Sequence, residues 1–137
     1  MNITLIYIGS GIYVFLGILH GIVTLLELKR EGGLSPVNSE LRTRMKSEPL
    51  RLHSTSIFWN AWIAFNLTQS IGLIISGALI SLLLFNVEII VSNIYFISLV
   101  LSGSFLYAAS AFFFLSSRPT IAIGAPFVLF LISFLLH

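Results

Sequence analysis

Cysteine and aspartate are absent from this 137-residue chain, and charged residues of all kinds make up only 9% of it. The missing cysteine excludes disulfides, thiol catalysis and cysteine-based metal sites. So little charge beside 57% apolar residues excludes an ordinary soluble domain, in which about a quarter of the residues are charged. The three histidines, His20, His53 and His137, are too scattered to build a metal site, and a bis-histidine haem is not expected from them. No internal repeat is apparent.

What the chain has instead is four long apolar runs, about 3–27, 55–84, 89–115 and 119–137, each able to cross a ~30 Å hydrocarbon core as a helix. The expected fold is all-α, an integral membrane four-helix transmembrane bundle in one domain over residues 1–137. The first run follows Met-Asn alone, without the basic leader or cleavage site of a signal peptide, and reads as a retained helix. All seven lysines and arginines fall in two connections. Lys29, Arg30, Arg42, Arg44, Lys46 and Arg51 lie between the first two runs, and Arg118 lies between the last two. In a four-pass chain those connections share a side. Basic loops stay cytoplasmic, so both termini are expected to be extracytoplasmic.

The 28–53 connection interleaves its basic residues with Glu27, Glu31, Glu40 and Glu48. It therefore reads as an orienting loop with weak attraction to lipid headgroups, without a dense cationic patch and without a nucleic-acid partner. Within it, Val37 to Ser47 suits a short helix capped by Asn38 or Ser39. Ser54 or Thr55 would cap the second span, with Trp59 and Trp62 as headgroup-level anchors. A turn at Asn86-Val87-Glu88 should lead into the third span. The aromatics Phe112 to Phe114 at its far end read as an interfacial belt or lipid contact. Pro119 fits the first turn of the fourth span, and Pro126 should bend it.

Polar groups in hydrocarbon are costly, so their placement is informative. At roughly 100° per residue, Ser10, Tyr13, Gly17, His20, Thr24 and Glu27 fall within about 100° of arc on the first span. Gly17 and Gly21 add a Gly-x-x-x-Gly pair that permits close helix approach. On the second span Trp59, Trp62, Asn66, Gln69, Ser70 and Gly77 form a matching stripe. Antiparallel packing would bring His20 near Asn66 or Gln69. The polar cluster Tyr13, His20, Thr24, Asn66, Gln69 and Ser70 is then either hydrogen-bond glue or a ligand site. On the third span, Ser98-x-x-x-Ser102 and Ser104-x-x-x-Ala108 have small-residue packing spacing, and Tyr95 and Tyr107 could donate across helices.

The stretch Trp59-Asn60-Ala61-Trp62 followed by Phe65-Asn66-Leu67-Thr68-Gln69-Ser70-Ile71-Gly72 resembles the signature of a family of uncharacterised bacterial four-helix membrane proteins. Leu16-Gly17-Ile18-Leu19-His20-Gly21 is similar to that family's first helix. The family pattern has Ser-His where this chain has Thr68-Gln69, so a two-histidine site in relatives would lack one member here. The resemblance covers about half the chain. It implies the fold and a bacterial inner membrane location, with no known activity.

Three functions follow. The first is a non-catalytic integral subunit packing with other membrane subunits, or with copies of itself, in a larger complex. The second is a small lipid- or isoprenoid-binding protein or enzyme, with a pocket between the first two spans lined by Tyr13, His20, Asn66 and Gln69. An enzyme would need a deep carboxylate or second base, and only Glu27, near the rim, is on offer. The third is a small oligomeric transporter, which generally carries a central membrane carboxylate that is missing here. The first is favoured, with no catalytic residues, no metal and no cofactor beyond a bound lipid.

Overall fold

Each apolar run closes its backbone hydrogen bonds within itself as a helix, the arrangement required of a segment with no water to serve its amides. A computed structural model describes residues 2–30, 32–51, 53–84, 93–115 and 117–136. Among these are five helices: α1 (Ile3–Glu27), α2 (Ser39–Ser47), α3 (Phe58–Leu83), α4 (Ile94–Phe114) and α5 (Ser117–Leu135). All but α2 are long and apolar enough to cross a membrane.

A small antiparallel hairpin, β1 (Pro49–Leu50) and β2 (His53–Ile57), precedes α3. Its pairing extends to Phe58, whose N–H donates to the Glu48 carbonyl at 2.9 Å. The pairing sets Leu50 opposite His53 and Pro49 opposite Ile57, with an irregularity between them, and α3 begins at Phe58, later than the expected position 55. Ser54 and Thr55 are strand residues, not caps.

Asparagine caps start three helices, and at α1 Asn2 accepts from the Thr4 N–H at 3.1 Å. Asn38 accepts from the N–H groups of Glu40 and Leu41 at 2.9 and 3.1 Å and starts α2. Asn93 accepts from Tyr95 and Phe96 at 3.0 and 3.3 Å and starts α4. Asn38 and Asn93 each satisfy two of the amides that a helix N-terminus leaves orphaned. The expected turn at Asn86-Val87-Glu88 and a helix start at 89 lie outside the described residues; the described part of the third span begins at Ile94. Pro119 occupies the first turn of α5, and the buried Pro126 lies inside it.

The chain divides into two units. Unit 1, Met1–Leu16 with Leu73–His137, holds the first part of α1, the last part of α3, and all of α4 and α5. Its core takes Ile6 and Tyr13 from α1, Leu73 and Ile80 from α3, Val100 from α4 and Phe130 from α5, with Leu84 beside them. The start and end of the chain meet here: Ser133 Oγ donates to the Asn2 carbonyl at 2.7 Å, and Asn2 N–H donates back to the Ser133 carbonyl at 3.2 Å. Unit 2, Gly17–Gly72, holds the rest of α1, the loop, α2, the hairpin and the beginning of α3. Within it, Lys46 Nζ stands 5.2 Å over the ring of the buried Trp59. That is a cation–π pairing of the kind worth ~0.5–1 kcal/mol or more.

Candidate functional site

The polar stripe of α1 is its buried face. Ser10, Tyr13, Gly17, Thr24 and Glu27 are all buried, and His20 is half-buried. On α3 the buried positions include Trp59, Ile63, Asn66, Ser70, Leu73 and Gly77. Trp62 and Gln69 sit at the edge of that face and are half-buried.

In unit 2 the two stripes meet through specific bonds. His20 Nε2 lies 3.1 Å from Asn66 Oδ1. The Asn66 amide nitrogen donates to the Trp62 carbonyl at 2.8 Å, which turns its oxygen toward the imidazole. An amide oxygen can only accept, so Nε2 carries the proton and is the donor. In this arrangement that nitrogen is neither a free base nor an open metal ligand. Ser70 Oγ donates to the Gly17 carbonyl, and a Cβ added at Gly21 would lie 2.6 Å from the same hydroxyl. Close approach at Gly17 and Gly21 therefore lets a serine reach the opposing backbone. Thr24 bonds within its own helix, to the His20 carbonyl at 2.8 Å. The Gln69 side chain, the other expected partner, does not join the His20–Asn66 pair.

This geometry is that of helix-to-helix glue. A buried interhelical bond of this kind contributes ~0.6 kcal/mol and at most ~2. Replacing His20 by alanine is accordingly expected to lower stability in detergent by about that much, with the fold kept. A loss several times larger in a thermal or steric-trap unfolding measurement would show that His20 does more than bridge two helices.

Unit 1 has its own contacts along the same two helices. Ser10 Oγ and Ser81 Oγ are 2.8 Å apart, and a Cβ at Gly77 would lie 2.5 Å from the Ser10 carbonyl oxygen. Tyr13 belongs to this unit. It is 2% exposed, and its hydroxyl has no well-formed hydrogen bond among the described residues. The cavity it lines, about 310 Å³, is built from residues of its own unit on α1, α3 and α4. On α4, Ser104 and Ala111 are buried, while Ser98 and Ser102 are exposed. The Ser98-x-x-x-Ser102 spacing thus lies on an exposed face of α4, not at a helix contact within the chain's described residues.

The loop carries a feature that charge interleaving concealed. Glu27, at the end of α1, accepts from Gly32 N–H at 3.2 Å, Leu34 N–H at 2.8 Å and the Ser35 hydroxyl. This curls the chain back over the helix end. Arg42 and Lys46, four residues apart on α2, then line one cavity of about 170 Å³ together with Lys29 and Arg30. Four cations and one internally bonded carboxylate share it, so a local cationic concentration exists where the sequence suggested none. Among the described residues no group of three His, Asp or Glu side chains could hold a metal.

Comparison of the chain with protein-family models, with curated proteins and with solved structures finds no match.

Proposed function

We propose that the protein is a non-catalytic integral membrane subunit that packs against the spans of other subunits in a larger assembly. It crosses a bacterial inner membrane four times, with both termini extracytoplasmic and the 28–53 connection cytoplasmic. The observation that carries this reading is the outward face of α4. At roughly 100° per residue, Ser98, Ser102, Phe105, Ala109 and Phe112 fall within about 100° of arc. The last three also wall an open groove of about 740 Å³ between α4 and α5, whose other lining includes Ala108, Gly124 and Ala125.

In hydrocarbon there is no hydrophobic force to bring helices together. Small residues that allow close backbone contact are what make one helix prefer another over lipid. A face with two serines, alanines and a glycine-lined groove suits a partner helix better than it suits disordered acyl chains. The His20–Asn66 bond adds support by accounting for the most reactive intramembrane group structurally. The Asn2–Ser133 clasp, which keeps the chain ends together, agrees with termini on one side. The basic cavity beside the end of α1 fits contact with anionic headgroups at the cytoplasmic surface.

Gentle-detergent extraction from native membranes, followed by native gel separation and mass spectrometry, tests this. Stoichiometric integral companions are expected. The double variant Ser98→Leu/Ser102→Leu should insert and fold, because both positions are exposed, yet lose about nine-tenths of those companions, as a loss of ~1.4 kcal/mol in helix packing requires. Migration of the wild type as a lone monomer, or full retention of companions by the double variant, would sink the proposal.

A further inference from the structure

The hydroxyl of Tyr13 is the buried side-chain polar group of unit 1 that, among the described residues, lacks a hydrogen bond of good geometry. The residue is 2% exposed. A buried polar group of this kind calls for an explanation. Its ring is held in place: Tyr107 lies 5.8 Å away at an interplanar angle of 50°, and Phe130 lies 5.9 Å away at 70°. The hydroxyl therefore cannot swing far to find a partner. Ser104, which lines the same cavity, is the polar side chain close enough to interact with Tyr13, but it makes no hydrogen bond of good geometry with the hydroxyl and directs its own hydrogen at the carbonyls of Val100 and Leu101, at 2.7 and 3.1 Å.

The cavity that Tyr13 lines is about 310 Å³ and mostly apolar, walled by Leu79, Leu83, Phe96 and Leu99, with Ser76, Ser104 and Tyr107 as its other hydroxyl-bearing residues. That volume is at the low end of the ~300–1,000 Å³ typical of small-molecule sites. Leu79, Leu83 and Leu99 are exposed on the lipid-facing surface, so entry is lateral.

Depth decides the ligand. Tyr13 lies ten residues from Ile3 and fourteen from Glu27, the ends of α1, or ~15 and ~21 Å at 1.5 Å per residue. With α1 across a ~30 Å core, the hydroxyl sits near the midplane. Phospholipid ester carbonyls lie at the interface, ~15 Å away, and bulk water is absent at that depth. We propose that this cavity binds a membrane-dissolved ketone or quinone, an uncharged apolar molecule whose carbonyl oxygen accepts the hydrogen bond of Tyr13. The hydroxyl donates, the carbonyl needs no other partner, and the apolar body fills the cavity. The inference rests on α1 being a membrane span, but not on the existence of partner subunits.

The test uses the purified full-length chain in nanodiscs, with a decyl-substituted benzoquinone as probe and decylbenzene as its carbonyl-free control. Recovery in the carbonate-washed membrane pellet comes first, and absence there would sink the membrane reading itself. The wild type should bind the quinone more tightly than the hydrocarbon. Tyr13→Phe should weaken the quinone roughly five- to ten-fold, the worth of one net hydrogen bond, and leave decylbenzene unchanged. Ligand-free Tyr13→Phe should melt no lower than wild type, because it deletes a hydroxyl without a well-formed hydrogen bond. Gly103→Leu is the second variant. Gly103 lines the cavity, and a Cβ there meets no heavy atom within 4 Å, so leucine fills the space without a clash and should abolish quinone binding. Failure of the wild type to bind the quinone, equal binding by Tyr13→Phe, or a ligand-free Tyr13→Phe that melts well below wild type would each overturn the assignment.

Discussion

Replacing Gly77 with leucine is expected to prevent unit 1 from assembling, and even alanine there should lower its stability by about 3 kcal/mol. The usual cost of forcing extra methylenes into a packed interior is ~1–3 kcal/mol, because neighbouring side chains can shift. At Gly77 the obstacle is backbone. A Cβ would stand 2.5 Å from the Ser10 carbonyl oxygen and 3.1 Å from the Val14 nitrogen, with Val14 Cγ2 at 2.8 Å. Relief would require α1 and α3 to move apart, and that would break the 2.8 Å Ser10–Ser81 contact beside them. Gly11, on α1, is the contrast. A Cβ at Gly11 meets nothing within 4 Å, so Gly11→Ala should be neutral or gain ~0.5–1 kcal/mol from helix propensity. Thermal melts of the two variants in one detergent decide the matter. A Gly77→Ala melting temperature within about 2 °C of wild type would show that the helices are not closely apposed there.

Span number was legible because each run is long enough to cross a bilayer, and few alternatives exist for such a segment. The buried side of α1 was legible because Ser10, Tyr13, Thr24 and Glu27 repeat with helical period against a background of Ile and Leu. The hairpin was not. Ser54 and Thr55 look like caps from the sequence, and their strand conformation depends on Glu48, Pro49 and Leu50 pairing with Phe58, Ile57 and His53 on either side of them. The cap at Asn93 was hidden for a similar reason: Ile89-Ile90-Val91 continues the apolar run, and hydropathy does not register a capping oxygen. Ser98-x-x-x-Ser102 and Gly17-x-x-x-Gly21 have the same spacing, yet Gly17 and Gly21 meet Ser70 while Ser98 and Ser102 face outward. Spacing says that a close neighbour suits a face; it does not say whose helix supplies it. The gathering of Lys29, Arg30, Arg42 and Lys46 was invisible because it needs Glu27 to hold the intervening loop.

That dependence makes Glu27→Ala the other substitution of large effect. The carboxylate is 4% exposed and accepts from Gly32, Leu34 and Ser35. Hydrogen bonds to a charged acceptor contribute ~1.5–3 kcal/mol each. Three on one group are not additive, so the loss of local order should be about 2–4 kcal/mol. The loop after α1 carries Lys29 and Arg30, so trypsin reports its opening directly. Cleavage through a locally opened state follows the population of that state. A loss of ~2 kcal/mol should thus raise the cutting rate about thirty-fold. Gly32→Ala gives an independent route to the same end. Its Cβ would stand 2.5 Å from Glu27 Oε1, so the carboxylate must yield its place although its charge is intact. Both variants should disperse the four-cation cavity and weaken retention of anionic lipid during purification, with the spans themselves unaffected. The side of cleavage matters as much as its rate. With the basic loop cytoplasmic, trypsin should cut the Glu27→Ala chain in inside-out vesicles and spare it in intact spheroplasts. Cutting in spheroplasts would reverse the topology, and an unchanged rate in inside-out vesicles would mean that Glu27 does not organise the loop.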